Sequence, residues 1–231
     1  MSELVRRSWP DLLDERGLLV VPLGATEQHG PHLPLGTDTE IAEALARELA
    51  NRVPNVTFAP AVPYGASGEH QAFAGTISIG QNALEMLLVE LGRSASATFP
   101  RLLFLSCHGG NARPLARAVR RLRVEGRDAR AWSPATGWGA DAHAGRVETS
   151  VMLALRPNDV NMPAAVKGDT RPLAEILPEL QAGGVAAVSP NGVLGDPCGA
   201  NETEGEMLIL SAVEELSVAL SVWPDHDGAW L

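Results

Sequence analysis

Glu27 and His29 stand two residues apart in the run Gly24-Ala25-Thr26-Glu27-Gln28-His29-Gly30-Pro31-His32, and that spacing is chelating. In an extended segment residues i and i+2 project to the same side, so both side chains can reach one ion. Asp38 follows at the opening of the next predicted helix. Two later segments carry the same residue types: His108 in Ser106-Cys107-His108-Gly109-Gly110-Asn111, and Glu148 shortly after Asp141-Ala142-His143-Ala144-Gly145. Carboxylate and imidazole donors without thiolate suit Zn2+, Mn2+ or Fe2+, and a carboxylate such as Asp38 can bridge two ions about 3.5–4 Å apart. Such a centre polarises a carbonyl and lowers the pKa of bound water from 15.7 to about 7, which permits hydrolysis without a serine or cysteine nucleophile.

Each of these residues also has an ordinary explanation. Glu27 fits a turn, His29 and His32 fit a loop, and Asp38 and Glu148 fit the first turns of helices, where the macrodipole favours acids. Taken together they are harder to dismiss, because four of the six histidines fall in these three loops. Competing chemistries are poorly supported. Cys107 adjoins His108, but neighbours on a strand end point to opposite sides, which favours a buried structural thiol. Ser67 and Ser106 lack the G-x-S-x-G elbow, and neither GxGxxG after the first strand nor GxxxxGK[ST] is present.

The loops gain weight from the elements that hold them. Short apolar runs alternate with segments of helical period, which predicts an α/β fold: a mostly parallel central sheet covered by helices on both faces, a three-layer α/β/α arrangement. Strands are expected at Leu18 to Val21, Val56 to Val62, Thr76 to Ile79, Leu102 to Leu105 and Ala129 to Trp132. Helices are expected from Thr39 to Asn51, started by a Thr37–Glu40 capping box, and at Asn82 to Thr98, after Asn111, at Val147 to Leu155 and at Glu202 to Val222. The Pro- and Gly-bearing stretch Asp169 to Pro190 reads as an insertion or an oligomer arm. No repeat or long linker divides the chain, so residues 1–231 are expected to form a single domain. Ligands of open parallel sheets bind beyond the carboxyl ends of the strands, which is where the three loaded loops fall.

Composition narrows the partners. With 18 basic and 28 acidic residues the formal charge is −10, which repels a phosphate backbone and argues against nucleic acid. The arginines between Arg113 and Arg127 read as the solvated face of a helix whose other face is Leu115, Val119 and Leu122. No apolar run approaches the ~20 residues of a membrane span, and charges interrupt the first 17 residues, so no secretory signal is expected and the location is expected to be cytoplasmic. Two cysteines, Cys107 and Cys198, suggest neither a disulfide framework nor a zinc ribbon.

Four segments resemble the creatininase family in order and over nearly the whole chain: Pro22 to Pro34 with Thr37-Asp38, Ser67-Gly68-Glu69-His70 with Gly75-Thr76, His108-Gly109-Gly110-Asn111, and Asp141 to Gly145 with Glu148-Thr149-Ser150. The resemblance implies a metal amidohydrolase with a creatininase-like fold and two divalent ions per subunit, Zn2+ or Fe2+ with Mn2+ as a further option. It implies Glu27, His29, Asp38, His108 and Glu148 as ligands, His143 near the substrate, and a homo-oligomer. His143 and Glu148 are the expected catalytic residues, and Glu69, His70 and Trp138 the expected substrate contacts, with Trp132 a further candidate for the pocket wall or the core. Creatininases proper carry a metal-binding glutamate where this chain has Gly110, which sets creatinine in doubt and gives Glu148 more to do. Ser106-Cys107 also replaces the usual Asn-Gly. Residues 59–71 and 183–190, followed by Gly195-Asp196-Pro197, are similar to the creatininase-like peptidases of mycofactocin biosynthesis. That subgroup cleaves a modified precursor peptide and frees its C-terminal Val-Tyr-derived, cross-linked moiety. The rival expectations are a hydrolase of a small cyclic amide or formamide, a non-catalytic metal-containing binding protein, and a mononuclear iron oxygenase using His29, His108 and Asp38.

Overall fold

The computed structural model describes residues 3–134, 138 and 141–223. Its centre is β1 (Leu18–Leu23), six residues that are all buried because the strand has neighbours on both edges and both faces. β2 (Val56–Phe58), β3 (Arg101–Ser106) and β4 (Asp128–Trp132) join it in the order β2-β1-β3-β4, every pairing parallel. Side chains alternate between two cores. Leu18, Val20, Leu103, Leu105 and Trp132 pack under α1 (Thr37–Arg52), α4 (Arg146–Leu155) and α6 (Glu202–Ser221). Leu19, Val21, Leu102 and Phe104 face α2 (Gly80–Ala95) and α3 (Ala112–Val124). The three-layer arrangement expected from the sequence is therefore present.

Local departures have physical causes. β2 is shorter than the predicted 56–62: after Ala59 donates to Val20, Pro22 has no N–H to continue the ladder, and the next bond is Val62 donating to Pro22. The predicted strand at 76–79 is reduced to one antiparallel bridge between Thr26 and Ile77, as the chain crosses the sheet end before turning at Gly80, φ 78°. The Thr37–Glu40 capping box is absent. Gly36 is the N-cap of α1, and the Thr37 hydroxyl donates to the Pro34 carbonyl (2.8 Å), which leaves Asp38 buried in the first turn.

Residues 169–190, read from the sequence as an insertion or an oligomer arm, are helical over most of their length. They contain α5 (Leu173–Val188), kinked at Gly184 and packed on the turn Gly68–His70 through Ile176, Val185 and Phe73. The exposed arginines of α3 behave as a solvated face, Arg117 pairing with Glu85 and Arg121 with Glu125. No helix among the described residues is long and apolar enough to cross a membrane.

Candidate metal centre

β1 and β3 are neighbours whose following connections leave to opposite sides of the sheet, so the crevice between their carboxyl ends is the natural ligand site of this topology. The loop after β1 delivers Glu27 and His29, the first turn of α1 delivers Asp38, the loop after β3 delivers His108, and the first turn of α4 delivers Glu148. Their donor atoms converge in three groups, each within 4.8 Å: Glu27–Asp38–His108, His29–Asp38–Glu148 and Glu27–His29–His143. Asp38 belongs to the first two groups, the position required of a bridge.

Both Glu27 carboxylate oxygens, His29 Nε2 and Asp38 Oδ2 are buried without a hydrogen-bond partner. Leaving such atoms dry and unpaired costs on the order of 1–3 kcal/mol each, more when they are charged. Divalent ions would satisfy all four, so the donor set fits them.

The rings are aimed by their other nitrogens. His29 Nδ1 lies 3.1 Å from the Glu27 carbonyl and donates to it, which leaves Nε2 free 3.5 Å from Asp38. His108 Nε2 lies 3.2 Å from the Ala66 carbonyl, which leaves Nδ1 facing Glu27 at 3.2 Å and Asp38 at 3.5 Å. Ligating histidines are commonly held by such carbonyl contacts. Glu148 accepts from the Ala144 amide through Oε2 (2.6 Å), so Oε1 remains available. The sharp turn before α4 is made at Ala144, φ 53°, rather than at Gly145, whose added Cβ would collide with the Asp141 carboxylate.

Electrostatics point the same way. Burial opposes charge on both His29 and His108, but Asp38 raises the first to about 10 and Glu27 the second to about 9. Burial raises Glu148 to about 7. Burial also pushes Glu27 up, but His108 overrides it and holds the carboxyl below its usual range. Burial, reinforced by His29 and His70, keeps His143 neutral. Without metal both raised rings carry a proton at neutral pH, and an arriving ion must displace it. Metal affinity should therefore rise with pH up to the region of 9–10, with about two protons released from these rings per loaded chain near pH 7 and fewer as pH approaches 9. Calorimetric titration in buffers of different ionisation heat measures that release, and its absence would remove the two rings from the shell.

A cavity of about 370 Å³ opens beside this centre, lined by Cys107, His108, Trp138, His143 and Glu148 among others. Trp138 lines this cavity, whereas Trp132 is in the core. The Cys107 thiol also lines the cavity, but burial, then Asp38 and Glu148, push its pKa well up, so it stays a neutral thiol. His70 does not line the cavity. It is buried behind Glu27, Nε2 lying 3.3 Å from Oε1. Glu69 approaches His108 from the Nε2 side at 3.8 Å. A Cβ at Gly110 would collide with the Ala66 carbonyl oxygen and His108 Nε2, so this backbone leaves no room for a side chain at 110. Glu148 is grouped with His29 and Asp38 rather than with His108.

Two buried residues beyond the sequence-based set organise the centre. Asn111 accepts from the Ala66 amide and donates to the Gly24 carbonyl, both at 3.0 Å, and so ties the loops after β1, β2 and β3 together. Gln28 contacts His70 and His143. The alternation of side chains that pairs Glu27 with His29 also turns Gln28 the other way.

Residues 4–220 match the family model described as Creatininase: Creatinine amidohydrolase. The chain belongs to the creatininase family. Among its family relatives, the mycofactocin precursor peptide peptidase of Mycobacterium ulcerans (strain Agy99) is 50% identical over 236 residues, covering 98% of this chain and 91% of that protein. The creatinine amidohydrolase of Pseudomonas putida is 27% identical over 238 residues, covering 88% of each. A solved structure described as Creatininase Mn superposes with a TM-score of 0.82 at 22% identity over 98% of this chain and 99% of that one, a likeness of fold.

Proposed function

We propose that this creatininase-family protein is a divalent-metal-dependent peptidase that cleaves a modified precursor peptide in mycofactocin biosynthesis and releases its C-terminal Val-Tyr-derived moiety. The observation that carries the chemistry is the set of four buried, unpartnered atoms, both Glu27 oxygens, His29 Nε2 and Asp38 Oδ2, with Asp38 common to the Glu27–Asp38–His108 and His29–Asp38–Glu148 groups. The substrate class rests on the 50% identity to a mycofactocin precursor peptide peptidase, against 27% to a creatinine amidohydrolase. Glu27, Asp38 and His108 would hold one ion, and His29, Asp38 and Glu148 the other, with Zn2+, Fe2+ or Mn2+ compatible with the donors. Bound ions would supply Lewis acidity and a water of lowered pKa.

The chain's own residues do the rest. His143, neutral beside the centre, takes the proton of the attacking water and returns it to the departing amine nitrogen. Trp138 and the apolar lining of the cavity bind the leaving moiety and exclude water from it. Glu69, partly exposed on the Nε2 side of His108, is the candidate for a further contact with the peptide. The protein works as a single domain spanning residues 1–231, in the cytoplasm and as a homo-oligomer, for which the exposed Met86, Met207 and Leu210 offer apolar surface.

Incubating metal-loaded protein with the cross-linked precursor peptide should yield a shortened peptide and a C-terminal fragment, identified by mass. Hydrolysis of creatinine or a formamidopyrimidine with no cleavage of the peptide would replace this substrate class by small amides.

A further inference from the structure

Gln28 turns its side chain away from Glu27 and His29, into the space between three loops. Its Oε1 accepts from the Gly30 amide at 2.8 Å, and its Nε2 donates to the Gly192 carbonyl at 3.0 Å. Two backbone partners of opposite character settle which end of the amide is nitrogen. Gly192 has φ 81°, and a Cβ there would collide with the Gln28 carboxamide, so the segment that follows α5 closes over this amide and no larger residue fits. The same segment is clamped to His143: Leu194 donates to the His143 carbonyl (2.8 Å) and the His143 amide donates to Leu194 (3.1 Å).

The proton positions on two rings then follow by elimination. His143 Nε2 lies 2.7 Å from the Gln28 carbonyl, which can only accept, so Nε2 carries the proton. The amide nitrogen of Gln28 is 3.1 Å from that Nε2 and 2.9 Å from His70 Nδ1. One amide hydrogen is already given to Gly192, and His143 Nε2 has no lone pair to receive the other, so it goes to His70 Nδ1. The proton of His70 must therefore sit on Nε2, which faces Glu27 Oε1 at 3.3 Å. On His143 the lone pair is left at Nδ1, 3.9 Å from Glu27 Oε1 and within the Glu27–His29–His143 group.

We propose that Gln28 is a positioning residue that sets the tautomers of His70 and His143 together. It presents a lone pair at His143 Nδ1 to the reacting centre and an N–H at His70 Nε2 to Glu27. The consequence for catalysis rests on the role proposed above for His143: Nδ1 is the atom that accepts the proton. His70, steadied from behind, orients the Glu27 carboxylate from outside the ligand set, the arrangement by which outer partners tune a ligand.

The test is the ring-nitrogen spectrum of histidine-15N-labelled protein loaded with diamagnetic Zn2+, assigned with His70→Asn and His143→Asn. Both rings should show the Nε2-protonated pattern. In Gln28→Glu an acceptor replaces the donor, so the His70 proton should move to Nδ1. Turnover should then fall by about 10–100-fold, the scale on which partners that orient histidines act, with KM and bound metal little changed. Gln28→Met, which neither donates nor accepts, should leave His70 as a tautomer mixture and lose activity similarly, and serves if the glutamate variant does not fold. A wild-type His143 protonated at Nδ1, or a His70 pattern indifferent to both substitutions, would overturn the proposal. The spectrum is independent of substrate, so tautomers as stated in a protein that leaves the peptide uncut would count against the proposed function alone.

Discussion

Replacing Asp38 with asparagine is expected to weaken both proposed ion sites at once and to reduce turnover by on the order of 10³-fold or more, because among the described residues Asp38 is the one common to the Glu27–Asp38–His108 and His29–Asp38–Glu148 groups. Asp38 is buried, its Oδ2 has no hydrogen-bond partner, and one face of it meets His29 and the other His108, each at 3.5 Å. An amide at this place removes the negative charge and turns one ligand oxygen into an N–H donor. Glu27→Gln touches only one of the two ligand sets and should spare the ion held by His29, Asp38 and Glu148. Metal content by elemental analysis and turnover measured on the same samples separate the two outcomes. Retention of two ions by a folded Asp38→Asn protein would remove the bridge.

His143→Asn and Glu148→Gln should fail in different ways. Asparagine at 143 lacks a titratable ring, so turnover should drop by ~10²–10⁴-fold, the usual scale for a positioned acid or base, while metal occupancy stays near normal. Glutamine at 148 weakens a ligand, so one ion should be lost and the other kept. Its amide nitrogen also cannot accept from Ala144, so flipping to preserve that bond at Oε2 leaves a donor turned toward the centre. If Glu148→Gln holds both ions with unchanged affinity, Glu148 is not a ligand, and Glu69 becomes the next carboxylate to examine.

Much of this arrangement was legible in the sequence because its signals are local. The i, i+2 spacing of Glu27 and His29, the apolar run 102–105 ahead of His108, and Glu148 near the start of a periodic segment each report on a few neighbouring residues. Parallel order followed from alternating strand and helix patterns. What stayed hidden depends on partners distant in the chain. Gln28 acquires its role from Gly192 and His143, and Asn111 from Gly24 and Ala66. His70 carries the residue type of a substrate contact, yet the fold buries it behind Glu27. The capping box failed for a related reason: Thr37 has the right identity and spacing, but a turn at Pro34 takes its hydroxyl first. Residues 169–190 read as an insertion or an oligomer arm because of their prolines and glycines; they carry the helix 173–188, and Gly184 is where it bends to approach Glu69, an added Cβ lying 2.6 Å from its carbonyl oxygen.

The most direct test of a two-ion hydrolytic centre is stepwise reloading of chelator-stripped protein with Zn2+, Fe2+ or Mn2+, following bound metal and peptide cleavage together. Cleavage should be absent from the stripped protein and reach its full rate as the second ion per chain is taken up, with no consumption of dioxygen. Full cleavage in a sample verified to be metal-free, or full activity at one iron per chain with dioxygen uptake, would contradict it.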